Sequence, residues 1–310
     1  MNYLKLIFLL LSIVFQGNLY SDIPQKTFKF SERPKGFAPT PFWESMCWKR
    51  DDSGVDFCEN QDVKRSEQNF IRFCNQHEKK PPLNYSIPPS DYSIPPIIHF
   101  IWLGSPVTHE VQVAIESWKK HHSGWEIKVW TDEVVEKFLW TEDRLRIAFE
   151  EADTWAEKAD ILRLDILYQF GGIYSDVDVL CLNSFHDLIV QDVTFFSSFE
   201  LNFTSRHYGE AFYVGTAIMG ASKGSPLMKY CLDHCKTYRE NPTAGILKRT
   251  GPGLVSRACL AGFANPQEHI LILPCSYIYP LPWKNKGSDI AEYISKESLA
   301  VHFWASSWVK

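Results

Sequence analysis

No polybasic run occurs anywhere in the 310 residues, and the net charge of −5 is mild. The chain therefore has no electrostatic basis for broad binding to the phosphate backbone of nucleic acid. Beyond the first twenty residues, no stretch approaches the roughly 20 apolar residues that a membrane-spanning helix needs. The eight cysteines form no recognisable disulfide framework. Cys47, Cys58 and Cys74 precede the main domain; Cys181, Cys231, Cys235, Cys259 and Cys275 lie inside it. An odd number in each part leaves either one bridge between the parts or some free thiols. Common ligand loops are missing as well. A calcium loop starting at Asp176 would need glycine at Cys181 and glutamate at Asp187. Gly215 and Gly220 have P-loop spacing, but Ala221 stands where the lysine must be. Gly251-Pro252-Gly253 follows no clear strand and opens no dinucleotide fingerprint. Cys231, His234 and Cys235 have metal-ligand chemistry, yet no second ligand pair accompanies them, so they read as core thiols on a helix.

The composition, 45% hydrophobic and 15% aromatic, allows one substantial core with a smaller appendage. Lys5, the apolar run from Leu6 to Phe15 and the small polar residues Gly17 to Ser21 read as a signal peptide over 1–21, an uncleaved anchor being the alternative. Export follows: to the Golgi or lumen in a eukaryote, to the periplasm or outside in a bacterium. The mature chain is then soluble or held at the membrane peripherally or by that single anchor. Residues 22–93 are a polar extension rather than a core-bearing domain. Within it Tyr85-Ser86-Ile87-Pro88-Pro89 recurs as Tyr92-Ser93-Ile94-Pro95-Pro96, a stiff linker too short to stack as a repeat. Asn84 and Asn202 begin glycosylation sequons, meaningful in a eukaryotic host.

From residue 94 to the end the pattern is that of a single catalytic domain. Strands are predicted over Ile97 to Trp102, Glu126 to Trp130, Ile173 to Leu180, Val193 to Phe199, Ala211 to Met219 and Ile270 to Leu273. Helices are predicted over Val111 to His121, Asp132 to Phe138, Arg144 to Glu151, Thr154 to Phe170 and Pro226 to Arg239. The alternation argues for an α/β fold around a mainly parallel sheet flanked by helices. In such sheets ligands gather at the carboxyl ends of the strands.

The chemistry concentrates at Asp176 and Asp178. Two apart in the predicted strand, they project from one face together with Tyr174. Like charges beside Ile173, Val177, Val179 and Leu180 are costly unless a cation compensates them. A divalent metal completed by a diphosphate does so directly. Asp-x-Asp alone is a weak signal; its place after a helix, a double glycine and a buried strand makes it strong.

Several blocks in this order resemble the DXD-motif sugar-transferase family. They are Ala159-Asp160-Ile161-Leu162-Arg163, Gly171-Gly172-Ile173-Tyr174 and Asp176-Val177-Asp178. Further matches are Ile94-Pro95, Ile98-His99-Phe100-Ile101-Trp102, Trp130-Thr131-Asp132, Thr250-Gly251-Pro252, His302-Phe303-Trp304 and Ser307-Trp308. That family includes yeast Golgi α-1,6-mannosyltransferases, vertebrate α-1,4-linking transferases and bacterial polysaccharide enzymes, with the clostridial glucosylating toxins as distant relatives. The resemblance covers about Ile94 to Trp308. It implies a GT-A fold and a retaining, metal-dependent hexosyltransferase using a nucleotide-diphosphate sugar. The metal is manganese or magnesium, and the acceptor a glycan, glycolipid or protein.

Carried over by position, Asp178 binds the metal, and Asp176 contacts the donor ribose or the metal shell. Asp160 and Arg163 hold sugar hydroxyls, and Trp102 stacks on the base. Tyr174 and Thr216 line the donor, His302 is a further metal ligand, and Ser307 and Trp308 touch the diphosphate. Thr216 stands where asparagine is common, and Ser175 where the family has a bulky aliphatic. Each role has a plainer competitor. Trp102 and Tyr174 could simply pack, Asp160 and Arg163 could be a surface ion pair, and His302 could be an interior histidine. On function, the rivals are a non-catalytic carbohydrate- or nucleotide-binding protein on the same fold and an exported effector that glycosylates a host protein.

Overall fold

A computed structural model describes residues 93–189, 193–200, 212–237, 239–265 and 267–305. The expected leader, residues 22–92 of the extension, both sequons, Cys47, Cys58, Cys74, Ser307 and Trp308 lie outside the described residues.

The described strands are β1 (Ile97–Ile101), β2 (Glu126–Trp130), β3 (Gly172–Ser175), β4 (Val179–Cys181), β5 (Phe195–Ser198), β6 (Ile218–Ala221), β7 (Ile270–Leu273) and β8 (Ala300–His302). Six of them form one sheet in the order β2-β1-β3-β6-β5-β7. Only β6 runs against its neighbours; the others are mutually parallel. β4 and β8 form a separate antiparallel pair, Val179 opposite His302. The helices are α1 (His109–His121), α2 (Asp132–Val135), α3 (Asp143–Glu151), α4 (Trp155–Phe170), α5 (His186–Ile189), α6 (Pro226–His234), α7 (Ile246–Arg249) and α8 (Pro252–Gly262). This is the mainly parallel α/β sheet with flanking helices that the GT-A expectation required.

Local chemistry starts and stops the element that matters most. The Thr154 hydroxyl accepts from Glu157 N at 3.1 Å and caps α4, satisfying an otherwise orphaned donor. The helix stops at Gly171, whose φ is +66°, and β3 opens at Gly172, with φ +93°. Side chains there would also collide with their surroundings. A Cβ on Gly171 would lie 2.7 Å from Lys223 N, and one on Gly172 2.6 Å from Ile97 O. Only glycine meets both demands.

The core is aromatic and includes two histidines. Trp118 stacks on Phe185 at 5.0 Å and meets Phe100 edge-on at 6.1 Å. His122 Nδ1 bonds Trp118 O at 2.9 Å, and its Nε2 accepts from Phe185 N at 2.9 Å. His99 bonds Gly171 O through Nε2 at 2.9 Å and accepts from Trp130 Nε1 through Nδ1 at 3.2 Å. Each ring therefore donates once and accepts once, which only neutral imidazole can do. Burial lowers both pKa values to about 4.

Several sequence boundaries need correction. The strand predicted over Ile173 to Leu180 is two strands separated by a turn, so Asp176 and Asp178 lie in that turn and not on one face of a strand. The reason is loss of partners. β1 pairs no further than Tyr174 and β6 no further than Ser175, and the chain then leaves to pair with β8. The strand expected over Ala211 to Met219 shrinks to β6, with a single bridge between Phe199 and Val214. The helix expected over Asp132 to Phe138 ends at Val135, and that from Pro226 ends at His234. Trp102 falls just beyond β1. Helix α8, opened by Pro252, was not foreseen.

Cys181, Cys231, Cys235 and Cys259 are free, buried thiols. His234 instead bonds Tyr230 O and stacks on that ring at 3.9 Å, in keeping with core thiols. No helix among the described residues is long and apolar enough to cross a membrane.

Candidate active site

The carboxyl ends of β1, β3 and β5 share one end of the sheet, and the turn after β3 carries the aspartates there. Asp176 N donates to Ala217 O at 2.7 Å, fixing the turn to the segment before β6. The Tyr174 hydroxyl donates to Asp176 Oδ1 at 2.6 Å. Ser175 turns its hydroxyl to the Asp176 backbone carbonyl rather than to the carboxylate.

Asp178 is held from the chain's last described segment. Its backbone carbonyl accepts from Phe303 N at 3.0 Å, and Oδ2 accepts from Ala305 N at 2.8 Å. His302 Nε2 stands 3.1 Å from Asp178 Oδ1. The ring lies against Trp304 in a tilted contact, with centroids 4.3 Å apart. Trp304 has φ +56°, outside glycine the rare left-handed region. Its indole donates to Leu281 O at 2.7 Å, which holds the strained residue in place.

The electrostatics divide the two aspartates. Burial raises the pKa of both carboxyls, but the His302 charge and hydrogen bond, with the Ala305 amide, bring Asp178 below its usual value. Burial lifts Asp176, and the opposing Arg163 charge does not cancel it; the neighbouring Asp178 adds to the rise. Burial lowers the His302 pKa, but the charge and hydrogen bond of Asp178, with the charges of Asp176 and Glu200, raise it overall.

Asp160 and Arg163 are not a surface pair: they are 6% and 5% exposed. Three apart on α4, they form an ion pair with each other. Arg163 Nη1 also reaches Asp176 Oδ1 at 3.4 Å and donates to Thr216 O at 3.0 Å. The other Asp160 oxygen accepts from the Thr250 hydroxyl at 2.9 Å. One turn earlier, Glu157 accepts from Arg249 at 2.5 Å, both residues being buried. The guanidinium lies 5.1 Å from the Tyr174 ring.

The structure thus brings together Asp160, Arg163, Tyr174, Asp176, Asp178, Thr216 and His302. Thr216 takes part through its carbonyl. Trp102 lies at the same sheet end, half-buried, with its indole donating to Pro106 O at 3.1 Å. Three participants carried no role in the sequence reading: Thr250, Tyr279 and Glu200. The Tyr279 oxygen accepts from Ala217 N at 2.9 Å. Glu200 ends the run Phe195-Phe196-Ser197-Ser198-Phe199, and a lone charge at such a strand end was the available signal.

The donor set suits a divalent cation. One ligand atom each from Asp176, Asp178 and His302 lies within 4.8 Å of the others. His302 Nδ1 and Arg163 Nε are buried without a hydrogen-bond partner among the described residues, which is costly unless a ligand uses them. Two carboxylates with one imidazole are a ligand set that divalent metals accept.

Residues 108–195 match the family described as glycosyltransferase sugar-binding region containing DXD motif. That stretch is similar to the sugar-binding region of DXD glycosyltransferases. An uncharacterized glycosyltransferase of Acanthamoeba polyphaga mimivirus is 24% identical over 218 residues, covering 68% of this chain and 82% of that protein. Inositol phosphoceramide mannosyltransferase 3 of Schizosaccharomyces pombe is 26% identical, covering 52% of this chain and 43% of its own length. Inositol phosphoceramide mannosyltransferase 1 of the same yeast is 23% identical, covering 67% of this chain and 68% of its own. Among solved structures, the PaToxG glycosyltransferase aligns with a TM-score of 0.45 at 18% identity, over 66% of this chain and 79% of that one. The family and sequence matches support glycosyltransferase function for this chain.

Proposed function

We propose that the chain is a retaining hexosyltransferase that moves a sugar from a nucleotide diphosphate to a glycan, glycolipid or protein acceptor. The observation that carries this reading is the convergence of Asp176, Asp178 and His302 at the end of β3, inside the DXD region. The relatives named as inositol phosphoceramide mannosyltransferases make mannose the first sugar and a glycolipid the first acceptor to test. The expected export route belongs to the same reading.

Asp178, Asp176 and His302 would hold the cation, manganese or magnesium, which supplies charge neutralisation to the departing diphosphate. Trp102, at the β1 end, stacks on the base, and Tyr174 keeps Asp176 oriented toward the donor. Asp160 and Arg163 hold sugar hydroxyls from a geometry locked by Thr250 and Thr216, so little reorganisation accompanies binding. The segment at 302–305, tied to Asp178 by two backbone amides, closes that side of the site against water. Ser307 and Trp308 follow this segment and are assigned to the diphosphate.

The decisive experiment incubates purified protein with manganese and a panel of nucleotide-diphosphate hexoses and measures nucleotide release. At least one donor should be consumed, and Asp178→Asn should lower both manganese affinity and release by about 100-fold or more. Donors that bind with metal yet are never consumed would replace this reading with the non-catalytic one.

A further inference from the structure

Glu200 is a buried carboxylate at the active end of the sheet for which the transferase reading has no use. β5 runs parallel to β3, because both are antiparallel to β6; its end therefore lies on the same side as the aspartate turn. Backbone bonds hold the position: Phe199 N donates to Leu273 O at 2.9 Å, Glu200 N to Tyr213 O at 3.1 Å, and Gly215 N to Ser198 O at 2.9 Å. The residue is 7% exposed; no described residue hydrogen-bonds its carboxylate, and its oxygens are not among the fully buried polar atoms, so they stay reachable from the cleft. A largely buried carboxylate with no protein partner and an open side is free to accept from a bound hydroxyl. Gly215, bonded to Ser198, adjoins Thr216, whose carbonyl accepts from Arg163, so the β5 end abuts the site; burial pushes the Glu200 pKa up to about 7.

Its place in the sheet order narrows that use. From β1 across β3 and β6 to β5, the residues met are Trp102, then Asp176 and Asp178, then Thr216, then Glu200. Asp176, Asp178 and His302 come together as a ligand set without Glu200. Sugar hydroxyls are assigned to Asp160 and Arg163, which reach in from α4. What stays unserved is the attacking hydroxyl, on the side of the sugar away from the base.

We propose that Glu200 receives the incoming hydroxyl and takes its proton as the new bond to the sugar forms. The hydroxyl oxygen bonds to the anomeric carbon on the same face from which the phosphate oxygen departs, so configuration is retained; the carbon–oxygen bond to phosphate breaks and its electron pair leaves with the nucleotide diphosphate. The proton rests on the Glu200 carboxylate and passes to solvent once the product has gone. Water can take the acceptor's place, so donor hydrolysis exposes the same step. The proposal rests on the transferase reading above.

The test uses the full chain with manganese and whichever donor the panel shows to be consumed. Donor affinity is measured by calorimetry and nucleotide release by a coupled assay, for wild type, Glu200→Gln and Glu200→Asp. Glu200→Gln should bind donor within about threefold of wild type and release nucleotide about 100-fold more slowly or worse, the usual loss when a general base is removed. Glu200→Asp should recover part of that rate, and the acidic limb of the rate profile should vanish in the glutamine variant alone. An unchanged rate, or an affinity that falls in step with the rate, overturns the proposal; the latter would make Glu200 a donor contact. Thermal melting checks that each variant folds. A wild type that releases nucleotide from no donor overturns the transferase reading itself, and this proposal with it.

Discussion

Replacing Arg163 by methionine tests whether the guanidinium is what makes the buried carboxylates tolerable. The side chain joins Asp160, Asp176 Oδ1 at 3.4 Å and Thr216 O at 3.0 Å. Methionine fills similar space and leaves two carboxylates and a carbonyl without that partner. Breaking a buried pair costs about 3–5 kcal/mol, and an orphaned carbonyl about 1–3 kcal/mol more. Protonation limits the loss, and that gives the sharper readout. Burial already raises the folded-state pKa of Asp176 against the opposing Arg163 charge, and without Arg163 it rises further above the unfolded value. The folded variant then binds extra protons as pH falls, so the destabilisation is full at pH 8 and shrinks toward pH 5. Urea unfolding of both proteins at the two pH values measures this, and pH effects common to both cancel in the difference. The double variant Arg163→Met with Asp160→Asn should regain about half of the loss, because one stranded charge is gone. A loss below about 1 kcal/mol, or one equal at pH 5 and pH 8 and not relieved in the double variant, would refute the reasoning.

The neutral core histidines predict a second pH dependence, in the wild type itself. His99 and His122 titrate near 6.5 when unfolded and at about 4 when folded. Between those values the unfolded chain binds more protons, so stability is complete above pH 6.5 and is lost as pH falls toward 4. Each should cost about 2 kcal/mol between pH 7.5 and 5, and His122→Gln should flatten the urea-unfolding profile by one such share. Gly215→Ala should destabilise by about 1–3 kcal/mol through overpacking. Its Cβ would lie 2.2 Å from the Tyr279 oxygen, on a side chain that is fully buried and cannot withdraw. Thermal melting reads the loss; an unchanged midpoint would show that the segment before β6 yields freely.

What the sequence made legible was local chemistry. The cap at Thr154, the double glycine after Phe170, and the apolar strands at 97–101, 126–130 and 270–273 all follow from short-range rules. So does the presence of Asp160 and Arg163 on one helix, three residues apart. The break between β3 and β4 was not legible, since the residues at 173–180 are all compatible with extended backbone. The chain turns because its neighbours in the sheet end, and pairing is a property of distant segments. The same holds for His302, which reaches Asp178 only through the β4–β8 pairing. Glu200 and Tyr279 enter from loops that have no spacing relation to the aspartates. Helix α8 was hidden because Gly251 and Gly253 look like breakers; yet Pro252 opens it, and buried Leu254, Val255, Ala258 and Cys259 give it an inward face.

The charges along α4 raise the remaining question of why a buried helix carries Glu157, Asp160 and Arg163 at all. Stability is a poor answer, since apolar residues of similar volume often do as well as a buried ion pair or better. Position is a better one. Spaced three apart, the three side chains form a stripe along one face. At one end of it Glu157 grips Arg249. In the middle Asp160 grips Thr250 from the adjoining residue. At the other end Arg163 grips Asp176 and the Thr216 carbonyl. Together the contacts join α4 to three separate parts of the chain, and hydrogen bonds to charged groups are short and directional where packed methyl groups are not. The stripe therefore fixes the loop before α8, the turn after β3 and the segment before β6 against a single rigid element. A transferase needs that registry more than it needs the last few kcal/mol, because donor, cation ligands and attacking hydroxyl must meet at one carbon.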